Sequence, residues 1–124
     1  MGNANFVVNK ERSDLEKRLK KILDNNFPGL FEFVGDGRIS IGEYYPDFIG
    51  KNGKMQIIET LGCYYHHCSK CKKGTIQKQE ISIEKNAIRQ GIYSIQGYDS
   101  LLIWGHEFND MPVLVEKLRQ FIER

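Results

Sequence analysis

Long apolar runs are missing from this 124-residue sequence. None approaches the ~18–20 residues of a membrane-spanning helix, so no membrane role is expected. Residues 1–10 lack the apolar core of a secretory signal peptide, which points to the cytoplasm. Cysteine is scarce and odd in number: three, all within nine residues. Such a set cannot close a disulfide framework without leaving one thiol over, and metal binding is the better reading. Repeats and low-complexity tracts are absent. Excess charge is nearly absent too, at net +2, so the total does not announce a nucleic-acid binder. The length suits one compact domain spanning residues 1–124, either complete or the catalytic domain of a longer protein.

What is present is unevenly placed. Residues 1–62 hold nine basic and nine acidic side chains, residues 63–89 six and two, and residues 90–124 three and five. Positive charge therefore collects in the middle, where it can attract phosphates. A solvated loop and helix face is the plainer explanation of charge alone.

Hydrophobic periodicity predicts a helix over 13–25, with Leu15, Leu19, Ile22 and Leu23 on one face and Ser13 with Glu16 as a capping box. Extended stretches follow at 30–34, 39–49 and 55–61, the last two joined at Asn52-Gly53, a strong hairpin turn. Residues 63–75 read as a polar loop. A second helix is predicted over 79–96 with Ile81, Ile88, Ile92 and Ile95 inward, then a strand over 101–104. Asp110 caps a final helix with Pro112 in its first turn and Leu114, Leu118, Phe121 and Ile122 as its apolar stripe. The order α-β-β-β-α-β-α predicts an α/β sandwich with a mixed central sheet.

Two constellations carry chemistry. Cys63, His66, His67, Cys68 and Cys71 crowd one loop, and zinc prefers thiolate and imidazole in a tetrahedron. Cys68-x-x-Cys71 has chelating spacing and Cys63 supplies a third thiolate. His66, His67 and His106 compete for the fourth place. His106 is favoured, because a ligand from a distant strand end would tie the loop to the core. The second constellation is Pro46-Asp47 with Glu59 on the hairpin partner. Acids on paired strands can converge on Mg²⁺, which is often held by one or two carboxylates plus substrate phosphate. A two-residue loop would set Asp47 opposite Ile58 and turn Glu59 to the other sheet face. An odd loop or a bulge would bring Glu59 in.

At these residues the chain resembles the very short patch repair (Vsr-like) branch of the PD-(D/E)xK nucleases, which includes phage-borne homing endonucleases. Residues 14–19 look like the family's first helix with its catalytic glutamate, and Pro46-Asp47-Phe48 like its metal-binding aspartate segment. Residues 60–67 resemble the Thr-His-Gly-Cys-aromatic-aromatic-His signature, and residues 102–107 the strand ending in Trp-Glu. The resemblance implies a restriction-endonuclease-like three-layer α/β/α fold. It also implies a Mg²⁺-dependent endonuclease, of the mismatch-repair or homing type, acting on double-stranded DNA and of bacterial, phage or viral origin. Asp47 and the Thr60 carbonyl would hold Mg²⁺, His66 would serve as general base or acid, and Glu16 would assist. Glu59 is a further catalytic candidate, and Cys63, Cys68, Cys71 and His106 would hold structural Zn²⁺. Lys70, Lys72, Lys73 and Arg89 are the candidates for DNA contact. A monomer is expected, with a dimer as the alternative.

The sequence departs from the family at Leu61, which stands in place of a second functional histidine and in the lysine slot of the wider pattern. Asn86 replaces an acid. Glu16 has a rival role in the capping box. Tyr64 and Tyr65 divide between core and DNA, and Phe6 is the candidate intercalator of a mismatch enzyme. The competing function is a non-catalytic, zinc-stabilised DNA-binding module.

Overall fold

The computed structural model describes the backbone of residues 3–124 and the side chains from residue 14 onward, so Phe6 lies outside the described side chains. Four strands form one sheet in the order β1-β2-β3-β4: β1 (Phe31–Phe33), β2 (Phe48–Gly50), β3 (Gln56–Leu61) and β4 (Asp99–Trp104). The first two pairings are antiparallel and β3–β4 is parallel. Helix α1 (Asn3–Asn26) precedes β1, α2 (Ile76–Ile95) connects β3 to β4, and α3 (Met111–Ile122) follows a short 3₁₀ helix at Gly105–Asn109. The chain is thus a mixed α/β protein, as the order of periodic segments implies. No helix among the described residues is long and apolar enough to cross a membrane.

Period-two alternation splits the apolar residues between two sheet faces. Phe48 and Ile58 join Leu19 and Leu23 of α1 and Leu114 and Leu118 of α3 in the larger cluster. Ile49 and Ile57 join Val34 and Tyr93 in a smaller one on the other face, toward α2. Every residue of β3 is buried, as befits a strand flanked on both edges and covered on both faces. The N-terminus of α3 is capped as its sequence suggests, with the Asp110 carboxylate accepting from the Val113 N–H.

Three sequence expectations are corrected. Helix α1 begins at Asn3, so Ser13 lies inside it and cannot be its N-cap. Nothing between residues 3 and 12 is a Gly or Pro that would stop a helix once nucleated, and propagation overrides the local Ser-x-x-Glu signal. The extended stretch expected over 39–49 is a strand only at its end. Before it, Ile41 and Tyr44 close a small bridge, with positive φ at Gly42 and Glu43. On α2 the isoleucine stripe is not the inward face. Ser82, Asn86 and Tyr93 are buried, while Ile81, Ile88 and Ile95 are exposed. Periodicity assumes an apolar inner face, and this helix covers a polar site instead.

The hairpin decides the site. Asn52 and Gly53 both have positive φ, and the Lys54 N–H closes the two-residue turn on the Lys51 carbonyl. Yet Ile49 pairs with Ile57 and Phe48 with Ile58, one residue out of step with a Lys51–Lys54 pair. The surplus residue is Met55, where the Gln56 N–H turns back to the Lys54 carbonyl. This bulge inserts one residue on the β3 side. Continued to the end of β2, the register sets Asp47 opposite Glu59 on the α2 face, which is the bulged alternative.

Gly50 makes the bulge sterically feasible, since a Cβ there would sit 2.1 Å from the Lys54 carbonyl oxygen. Gly50→Ala is expected to cost about 1–3 kcal/mol through overpacking. Gly91→Ala, in open space on α2, is expected to stabilise by about 0.5–1 kcal/mol. Chemical denaturation of the two variants checks both signs; an unaffected Gly50→Ala protein would contradict the bulge geometry.

Candidate active site and metal centre

Asp47, Glu59, Thr60 and His66 line one cavity of about 260 Å³, together with Glu43 and Arg89. Asp47 stands just before β2 and is almost fully buried, at 1% exposure. Its Oδ2 accepts from the Thr60 N–H at 2.9 Å and from the Thr60 hydroxyl at 3.2 Å. The ladder between β2 and β3 has ended here, so the carboxylate takes the place of the next strand residue. Two donors on one oxygen fix the plane of the other.

Glu59 is also buried and is engaged differently. The Arg89 guanidinium of α2 reaches its Oε1 at 3.4 Å and stacks over the Tyr44 ring, 5.1 Å from its centroid. Tyr93, fully buried beneath, has its hydroxyl held in the protonated form mainly by burial and further by the Glu59 carboxylate. Three carboxylates, one arginine and one imidazole thus share the wall of a single small cavity.

His66 comes from the loop after β3. Its N–H bonds the Gly62 carbonyl at 3.0 Å, and its own carbonyl accepts from the buried Ser82 hydroxyl of α2. The imidazole meets the Trp104 ring edge-on at 6.4 Å. The polar inner face of α2 therefore holds the loop that carries the histidine.

Beside this cavity lies the cysteine cluster. One ligand atom from each of Cys63, Cys68, Cys71 and His106 falls within 4.8 Å of all the others. His106 Nδ1 is 3.3, 3.6 and 3.4 Å from the sulfurs of Cys63, Cys68 and Cys71. Tetrahedral zinc, with bonds of about 2.3 Å to sulfur and about 2.05 Å to nitrogen, separates S and N by about 3.6 Å. The donor set and its spacing are compatible with zinc, and His106, not His66 or His67, is the fourth member. Burial pushes the Cys63 thiol up to about 12, opposed by the His106 N–H and reinforced by the other two cysteines. A dication bound among the sulfurs would reverse that balance. Cys63 follows β3 by two residues and His106 follows β4, so the cluster ties the ends of two parallel strands to the loop bearing His66.

The remaining expected residues fall elsewhere. Glu16 is buried on α1 close to Gly35, and it does not line the cavity. Lys70, Lys72 and Lys73 are exposed on the cluster loop, as is Tyr64, which meets Tyr65 edge-on. Arg89 is half-buried inside the site. Glu43, Tyr44 and Tyr93 were not singled out from the sequence. No spacing marks them, because an irregular turn and a polar helix face bring them in. Comparison with protein-family models, curated proteins and solved structures finds no significant match.

Removing the Asp47 carboxylate strands a buried N–H. Asp47→Ala is expected to destabilise the protein by about 1–3 kcal/mol, and Asp47→Asn, which keeps an acceptor, by clearly less. Equal unfolding midpoints for the two variants would contradict the Asp47–Thr60 contact.

Proposed function

We propose that this chain is a Mg²⁺-dependent endonuclease of the Vsr-like type that hydrolyses a phosphodiester bond of double-stranded DNA. The observation that carries the reading is the meeting of Asp47, Glu59, Thr60 and His66 around one cavity. Asp47 and the Thr60 carbonyl would hold the ion. A residue in a strand sends its N–H and C=O to the same side, and the Thr60 N–H already reaches Asp47. Bound there, Mg²⁺ neutralises charge on the phosphate under attack.

The chain's own groups do the rest. His66 takes a proton from the attacking water as the new O–P bond forms. The bond from phosphorus to the 3′ oxygen breaks, and that oxygen takes a proton from solvent water, giving a 5′-phosphate and a 3′-hydroxyl. Arg89, shared between Glu59 and the cavity, faces the phosphate oxygens. Glu59 sets the position of Arg89 and is a further carboxylate in the same wall. Leu61 is buried hydrocarbon at 1% exposure, so proton transfer rests on His66. The cysteine cluster holds structural Zn²⁺, and Lys70, Lys72 and Lys73 face the DNA backbone.

Leu61 also favours a second reading, a zinc-stabilised DNA-binding module without activity. The two separate in one assay. Supercoiled plasmid is expected to be nicked with Mg²⁺ and not with EDTA, and Asp47→Asn is expected to lower the rate at least 100-fold. Equal nicking by both proteins would reject the site. DNA binding with no nicking by the wild type would favour the module.

Purified protein is expected to contain about one zinc per chain, and chelation to lower its melting temperature. A folded Cys68→Ser variant that retains full zinc would contradict the ligand set.

A further inference from the structure

A second cavity, of about 440 Å³, adjoins the first and shares His66 and Arg89 with it. The charges of the two differ in sign. The first is lined by three carboxylates, Glu43, Asp47 and Glu59. The second has no carboxylate in its wall, and Lys78, Lys85 and Arg89 line it from α2. Those three positions are seven and four residues apart, which returns the side chains to one helix face. Opposite them stands His67, whose Nδ1 is buried without a hydrogen-bond partner. The Arg89 Nε is likewise a buried donor with no acceptor. Buried donors are ordinarily satisfied, and an unanswered one marks the place of a missing acceptor. Convergent cations and an unanswered guanidinium donor define an anion seat.

We propose that this seat receives the phosphate next to the one cut, on the same DNA strand. The inference rests on the nuclease reading, which places the scissile phosphate in the first cavity. Arg89 and His66 stand between the two chambers, so successive phosphates meet a cation-binding wall and then a cationic one. Lys78 and Lys85 are exposed, so their head groups can reach a phosphate entering from solvent. The seat gives a role to the exposed Lys78 and Lys85, which flank the buried polar Ser82 and Asn86 of α2. It also makes the flanking phosphate part of substrate recognition.

Two measurements test this. The first is binding of duplex DNA to non-cleaving Asp47→Asn protein, followed by fluorescence anisotropy across a salt series. Adding Lys78→Ala and Lys85→Ala is expected to weaken binding about tenfold and to make the slope of log Kd against log[NaCl] shallower by about 1, the loss of one phosphate contact. Adding Lys21→Ala and Lys51→Ala instead, which removes equal charge elsewhere, is expected to leave the slope unchanged. Equal effects from both pairs would overturn the seat.

The second measurement uses a duplex with a mapped nick and a neutral methylphosphonate at either neighbour of the cut position. One such duplex is expected to raise the wild-type KM about tenfold and to add little to the Lys78→Ala/Lys85→Ala protein. No effect at either neighbour, or losses that simply multiply, would overturn the proposal. A wild type that fails to nick at all would defeat the nuclease reading, while the binding series would still decide whether the seat exists.

Discussion

A single surplus residue in a tight hairpin governs the arrangement of this molecule. With Met55 outside the ladder, β3 slides by one place against β2, and Asp47 and Glu59 come to the same face. Without it, period-two alternation would send them to opposite sides of the sheet. Everything polar beneath α2 follows from that slip. Two buried acids must be compensated: Asp47 by the Thr60 N–H and hydroxyl, Glu59 by Arg89. Gly50 is the steric condition for the arrangement, because the Lys54 carbonyl occupies the space a side chain would need.

The second constraint acts at the other end of β3. The cysteine cluster draws together the exits of β3 and β4 and the loop after β3, so that His66 lies between two cluster residues in sequence, Cys63 and Cys68, and is held by Ser82 from α2. The cost of this design is visible on α2. Its buried positions are Ser82, Asn86 and Tyr93, and Ile81, Ile88 and Ile95 are left outside. Stability is carried instead by the opposite face of the sheet, where α1 and α3 bury most of the apolar core.

Residue pattern made much of this legible. The strand 56–61, the Asn-Gly turn, the Asp110 cap, the apolar stripes of α1 and α3, and the grouping of Cys63, Cys68, Cys71 and His106 all follow from spacing and side-chain chemistry. The misses have physical causes. A β-bulge has no residue signature of its own, so register was open and Glu59 with it. The inner face of α2 was misjudged because amphipathicity marks the apolar side of a helix, which is the inner side only when the neighbour is apolar. Ser13 mimics a cap but sits within a longer helix. The cationic row of Lys78, Lys85 and Arg89 was open to a helical-spacing count, and it gains meaning only with the cavity opposite.

The proposed chemistry depends on a divalent ion lying between Asp47 and the Thr60 carbonyl. Anomalous diffraction from crystals grown with Mn²⁺, which takes the same oxygen ligands as Mg²⁺, locates that ion directly. The expected result is a peak about 2.2 Å from an Asp47 carboxylate oxygen and from the Thr60 carbonyl, separate from the zinc signal at His106. A protein that shows the zinc peak and no manganese at Asp47, with duplex DNA bound, would contradict the account.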